Sequence, residues 1–147
     1  VPAGHTVTEM ASLVDVAPTL YDLAGVETPN AVQGLSTADS FKRQAPWPRD
    51  AALTENDDDM AGIRMRTLTT ADWKLTIYAG DEFGELYDRR NDPQERNNLW
   101  YSAKHADTKA RLMAHLADHM LCAVDGANGR VQPPRPPVKK HIPRVRG

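Results

Sequence analysis

Apolar residues recur along this chain with two periods. Val16, Leu20, Leu23 and Ala24 recur at helical spacing, which predicts a helix with one apolar face. Asp15 precedes it as an N-cap acceptor, Pro18 falls in the first turn where proline is tolerated, and Gly25 stands where a left-handed C-terminal cap belongs. Further on the period drops to two. Ile63, Met65 and Thr67 alternate with Arg64 and Arg66, and Trp73, Leu75 and Ile77 alternate with Lys74 and Thr76, as half-buried strands require. "AALTEN" reads as a strand before them, "TADW" and "AGDEFG" as tight turns, and "ELY" as a segment pairing back. Together they predict a small antiparallel sheet with one apolar and one charged face. Helical spacing then returns in "YSAKHADTKARLMAHLADHMLCAV", where Leu112, Met113, Leu116 and Met120 form the expected buried stripe.

The polar stretches between these elements divide the chain. Thr28 to Arg49 is rich in Pro, Ser, Gln and Gly and reads as a long irregular crossing. "GELYDRRNDPQERNNL" (Gly84 to Leu99) spends a dozen polar residues around Asp92-Pro93. Proline pushes the residue before it out of the helical region, and Asp88, Asn97 and Asn98 are then placed to bond backbone groups that have no ladder partner. Leu99 and Trp100 are expected to anchor the far end. The closing "GRVQPPRPPVKKHIPRVRG", with five prolines, reads as an extended tail. The expected division is 1–49, 50–124 and 125–147.

Composition changes this picture only in part. A chain of 147 residues, 40% hydrophobic, suffices for one core. The net charge of -2 hides a basic tail, since Arg130 to Gly147 holds six Lys or Arg and no acid. The rest is acidic, which argues against nucleic acid as a partner. Cys122 is the one cysteine and leaves no room for a disulfide framework or a Cys-rich zinc module. No apolar run approaches the roughly 18 residues of a membrane span. The chain begins at Val1 without Met or a basic-then-apolar leader, so its natural start is expected upstream and its compartment is left open.

The motifs "SLVDVAPTLYDLAGV" with Pro29 and "VQGLS", then "RMRTLTTADWKLTIY", then "GELYDRRNDPQERNNLW" stand in this order. In them, from Val1 to about Leu121, the chain resembles the C-terminal part of a sulfatase of the alkaline-phosphatase-like superfamily. The resemblance implies an α+β C-terminal subdomain of an α/β sulfatase fold, with a small antiparallel sheet packed by a long C-terminal helix. Residues 1–49 would end the large α/β domain. It implies hydrolysis of a sulfate-ester substrate by a formylglycine nucleophile with a divalent cation, calcium. The family's Cys-or-Ser-x-Pro-x-Arg signature is absent here, and Cys122 is followed by "AVDGA". The expectation is therefore a fragment with no catalytic residue and no metal ligand of its own, its reaction centre lying upstream. A phosphonate or phosphate monoester hydrolase of the same superfamily is the near alternative. An interaction module working through the basic tail is the distant one, and the tail is also a candidate contact in a homo-oligomer.

Three candidate sites remain. "ENDDD", Glu55 to Asp59, gathers four carboxylates and an amide and reads as a solvated hairpin loop. It lacks the spacing and glycine of a calcium loop, but Asn56 and Asp57 could bond substrate hydroxyls at the cleft rim that the resemblance implies. His5, in a Gly-flanked turn, is a second substrate contact at that cleft. His115 and His119 stand one helical turn apart in "HLADH", the spacing of a metal-binding pair. Leu116 replaces the glutamate of the zinc-protease pattern, so both histidines are expected to flank the apolar stripe on its wet side.

Overall fold

Strands β1 (Ala51–Asp58), β2 (Ile63–Thr70), β3 (Trp73–Tyr78) and β4 (Gly84–Asp88) form one antiparallel sheet in that spatial order. The computed structural model that shows this describes Gly4 and residues 6–30, 32–42 and 46–126. His5 and the basic tail from residue 127 onward lie outside the described residues. Leu68, Leu75 and Leu86 sit opposite one another on β2, β3 and β4, all fully buried. A single 3-10 turn, Ala103–His105, opens the long helix that crosses this row. Leu112 and Leu116 of that helix (Ala106–Gly126) complete the core with Ala51. Trp73, Ile77, Leu99, Trp100 and Met120 close its margin. The α+β architecture expected from the sequence is therefore the one observed. Met113 departs from its expected place and is 39% exposed, because one residue beyond Leu112 the helix has turned by roughly 100°.

The second face of the sheet is not the wet surface that alternation predicts. Thr67 and Thr76 are paired in register, buried, and joined through their hydroxyls at 2.9 Å. On the same face Lys74 reaches Glu95 at 2.5 Å, and Arg89 stands 3.7 Å from that carboxylate. Glu95 belongs to the long polar stretch and holds a left-handed φ of 53°, a conformation a non-glycine residue keeps only when its surroundings fix it.

The polar stretch is an edge cover for β4. The Asn98 side chain acts as a substitute peptide: its oxygen accepts the Leu86 and Trp100 N–H groups at 3.0 Å each, and its nitrogen donates to the Gly84 carbonyl at 3.0 Å. Leu99 N–H then donates to the Leu86 carbonyl at 2.8 Å. An edge that could otherwise recruit another strand is thus occupied. Asp88 accepts from the Arg90 and Asn91 amides, and Asp92 from those of Arg96 and Asn97. Asp88 and Asn98 do what the sequence suggested, whereas at Asn97 it is the backbone N–H that is bonded, by Asp92. Gly84 has a steric reason, since a Cβ there would lie 2.5 Å from the Trp100 indole.

The first helix, α1 (Val16–Ala24), is turned the opposite way from its apolar pattern. Asp15 and Thr19 are buried, while Val16, Leu20 and Leu23 are exposed. Asp15 does not cap α1 through its side chain. Its carboxylate instead accepts the Ser12 and Leu35 N–H groups at 2.9 Å each and two guanidinium N–H groups of Arg49, the Nε at 2.6 Å. The Thr19 hydroxyl donates to the Asp15 carbonyl at 2.6 Å and accepts the Thr37 N–H at 3.0 Å. Thr37 leads into α2 (Ala38–Phe41), a short helix inside the crossing that was expected to be irregular. Gly34 passes so close to the helix entry that a Cβ would stand 2.2 Å from the Val14 carbonyl oxygen. Gly25, at φ 67°, ends α1 as its position predicted.

Two outcomes follow for stability. Leu75→Ala should cost about 2 to 5 kcal/mol as a core truncation. Asn98→Ala should cost about 1 to 3 kcal/mol by orphaning the Leu86 amide, both read from denaturant midpoints. Burial pushes the Asp15 carboxyl up, but Arg49 and the Leu35 and Ser12 amides outweigh it and hold it below its ordinary value. A depressed folded value means stability present above the unfolded value of about 3.9 and lost as pH falls through the folded one. Asp15→Asn should therefore be destabilised at neutral pH, and its deficit against the parent chain should shrink on acidification below about pH 4. Thermal midpoints of both chains across that window are the check.

Candidate functional site

The acidic run "ENDDD" is strand almost to its end. β1 continues through Asp58, and the hairpin loop is confined to residues 59–62. Asp58 shapes that loop by accepting the Met60 and Ala61 N–H groups at 3.0 Å each. The acids are tolerated in a strand because β2 sets arginines against them: Glu55 faces Arg66 and Asp57 faces Arg64 in register. Arg66 is gripped from two sides, by Asp57 at 2.7 and 3.2 Å and by Glu55 at 2.8 Å. Its hydrogen bond to Asp57, more than any other influence, holds the Asp57 carboxyl below its ordinary value.

This geometry separates the two residues expected to act together. Successive strand residues point to opposite faces, so Asn56 lies on one face of β1 while Asp57 shares the other with Glu55. Both are exposed. The expectation of one joint contact assumed a loop, and the paired strand removes that freedom. Asp57 is engaged by Arg66, whereas among the described residues the Asn56 side-chain amide has no hydrogen-bond partner. His5, the third expected contact, is outside the described residues.

The histidine pair is brought together more closely than expected. His115 and His119 are partly buried, with their Nε2 atoms 3.2 Å apart and ring centroids 4.8 Å apart. Asp50, the residue before β1, places Oδ2 3.7 Å from His115 Nε2. One ligand atom from each of the three lies within 4.8 Å of the others. Burial, then His115, lowers the pKa of His119, so its neutral form is favoured. Asp50 went unnoticed in the sequence because nothing in "APWPRD" announces a partner on the distant helix. Beside the cluster a shallow groove of about 280 Å³ is lined by Asp50, Thr70, Asp72, Trp73, Arg111 and His115, among others.

Comparison with known proteins settles the class. Residues 1–121 match the family described as N-sulphoglucosamine sulphohydrolase, C-terminal. The chain belongs to that family and is a C-terminal sulfatase part of the alkaline-phosphatase-like superfamily. It is 33% identical to an N-acetylglucosamine-6-O-sulfatase of Bacteroides thetaiotaomicron over 80% of this chain and 22% of that protein. A solved structure in complex with its substrate, D-glucosamine-2-N,6-O-disulfate, is similar at TM-score 0.67 and 30% identity, over 80% of this chain and 25% of that one. A phosphonate monoester hydrolase from Silicibacter pomeroyi is similar at TM-score 0.62 and 28% identity, over 73% and 24%. The chain thus spans about a quarter of the length of these relatives.

Among the residues of this sequence none fits a formylglycine nucleophile. Cys122 and every serine lack the Pro and Arg of the signature.

The arginine grip generates one prediction. Arg66→Met should raise the Asp57 carboxyl toward its ordinary value of 3.8, because a carboxylate that loses its guanidinium partner loses the preference for its charged form. Carboxyl-carbon NMR titration of both chains reads this directly.

Proposed function

We propose that this chain is the C-terminal part of a sulfatase that hydrolyses sulfate esters of an amino sugar or related saccharide. The observation that carries the proposal is the family match across residues 1–121, joined to 33% identity with an N-acetylglucosamine-6-O-sulfatase. In this reading residues 1–49 end the large α/β domain and residues 50–124 form the subdomain that completes the fold and the substrate rim. Residues 125–147 add a basic tail available for a homo-oligomer contact. The remainder of the enzyme supplies the formylglycine and the divalent cation, calcium, and no step of the chemistry runs through the residues described above.

The rim role falls on the outer end of the β1–β2 hairpin. Asn56 offers a free amide to sugar hydroxyls, and the Asp57–Arg66 pair stiffens the strand that presents it. Similarity to a phosphonate monoester hydrolase supports the superfamily reading, and the higher identity to a named sulfatase favours sulfur over phosphorus.

The test uses both the full-length parent and this chain. The parent should turn over an aryl sulfate faster than a phosphonate monoester, and the 147-residue chain should turn over neither. Asn56→Ala in the parent should raise KM for a glucosamine sulfate by about 3- to 10-fold at unchanged kcat, the signature of one lost binding hydrogen bond. Preferential phosphonate turnover, or activity in the purified chain, would overturn the reading.

A further inference from the structure

The cluster of Asp50, His115 and His119 is not used in that reading. Its two imidazoles point the same type of atom, Nε2, at one another across 3.2 Å. Two nitrogens bound to a tetrahedral zinc ion at about 2.0 to 2.1 Å are roughly 3.3 Å apart, so the pair already spans one edge of such a site. The i, i+4 spacing on α3 (Ala106–Gly126) puts both rings on the same side of the helix. Asp50 supplies an anionic oxygen 3.7 Å from His115 Nε2, too far for a hydrogen bond. Its side chain is 82% exposed, free to turn by the small amount that closes the triangle.

We propose that His115, His119 and Asp50 bind one divalent transition-metal ion of the zinc class, which ties the start of β1 to the C-terminal helix. Imidazole donors suit zinc, nickel and copper, whereas calcium and magnesium take oxygen ligands. Three protein ligands leave a fourth position for water or an outside donor, and both Asp50 and His115 line the adjoining groove. The nearby Arg49 does not oppose the cation strongly, since its guanidinium is neutralised by two bonds to Asp15. The competing arrangement is a plain hydrogen bond between the two imidazoles, and it makes the opposite prediction.

The full 147-residue chain, stripped with a chelator, is titrated with Zn²⁺ by calorimetry and with Co²⁺ by visible absorption. The expected result is one Zn²⁺ per chain, intense low-coordinate Co²⁺ bands, and a higher unfolding midpoint with Zn²⁺. His115→Ala and His119→Ala should each weaken binding by more than about 100-fold, since losses in the outer shell of a metal site already reach that size. Asp50→Asn should weaken it less, and circular dichroism of the metal-free variants should match the parent. Should a variant misfold, nitrogen NMR of the unaltered chain decides instead: Zn²⁺ should move the ring resonances of His115 and His119. No uptake by the unaltered chain, equal affinity in a His115→Ala/His119→Ala double variant, or shifts confined to other histidines would each overturn the proposal. Sulfatase activity enters none of these readings, so the site and the proposed function fail separately.

Discussion

The pairing of Asp15 with Arg49 is the constraint on which the arrangement of the first third of the chain depends. One carboxylate, 3% exposed, collects the Ser12 amide before α1, the Leu35 amide in the crossing and the Arg49 guanidinium next to β1. Breaking a buried pair by removing one partner costs about 3 to 5 kcal/mol, because the survivor is left charged and dry. Asp50, the next residue along, lies between this clamp and Ala51, which shares the core with Leu112 and Leu116 of the C-terminal helix.

The same logic of polar closure recurs in the second half. The core is a short row of leucines under one helix, and a sheet this small is vulnerable at its far face and at its edge strands, β1 and β4. The residues between Asp88 and Leu99 protect the far face and the β4 edge: Glu95 holds Lys74 on the far face, and Asn98 with Leu99 fills the edge of β4. A hydrophobic cover of the same length would itself need a partner. The abundance of charge in "GELYDRRNDPQERNNL" is thus a consequence of covering a sheet with chain that must also face water.

What was legible in the sequence was whatever periodicity alone decides. α1, the two central strands and the long helix stand where their spacing placed them, because period 2 and period 3.6 are set locally. Facing was less legible. The apolar side of α1 was expected to turn inward, yet Asp15 and Thr19 turn inward because their hydrogen-bond partners lie in the crossing, far along the chain. Thr76 was expected to be wet, since alternation cannot show that Thr67 waits opposite. The acidic run was expected in a loop, with Arg64 and Arg66 able to pair with it from one strand face; the pairing is observed, but across a ladder that keeps the acids in β1 through Asp58. Of the candidate sites, the histidine spacing was visible, but Asp50 was not, because only the fold brings β1 against the helix. The family resemblance carried what periodicity could not, the reading of these elements as a C-terminal sulfatase part.

That placement gives the outward face of α1 a physical sense. Leu13, Val16, Leu20, Leu23 and Val26 are all exposed, in and beside a helix of nine residues, and so short a helix is marginal in water without packing. A contiguous apolar patch of this kind is ordinarily an interaction surface. Under the proposed reading its partner is the large α/β domain, and the clamp at Asp15 then has a second consequence. By holding the polar side of α1 against the crossing, it would fix which side of α1 is left for that domain.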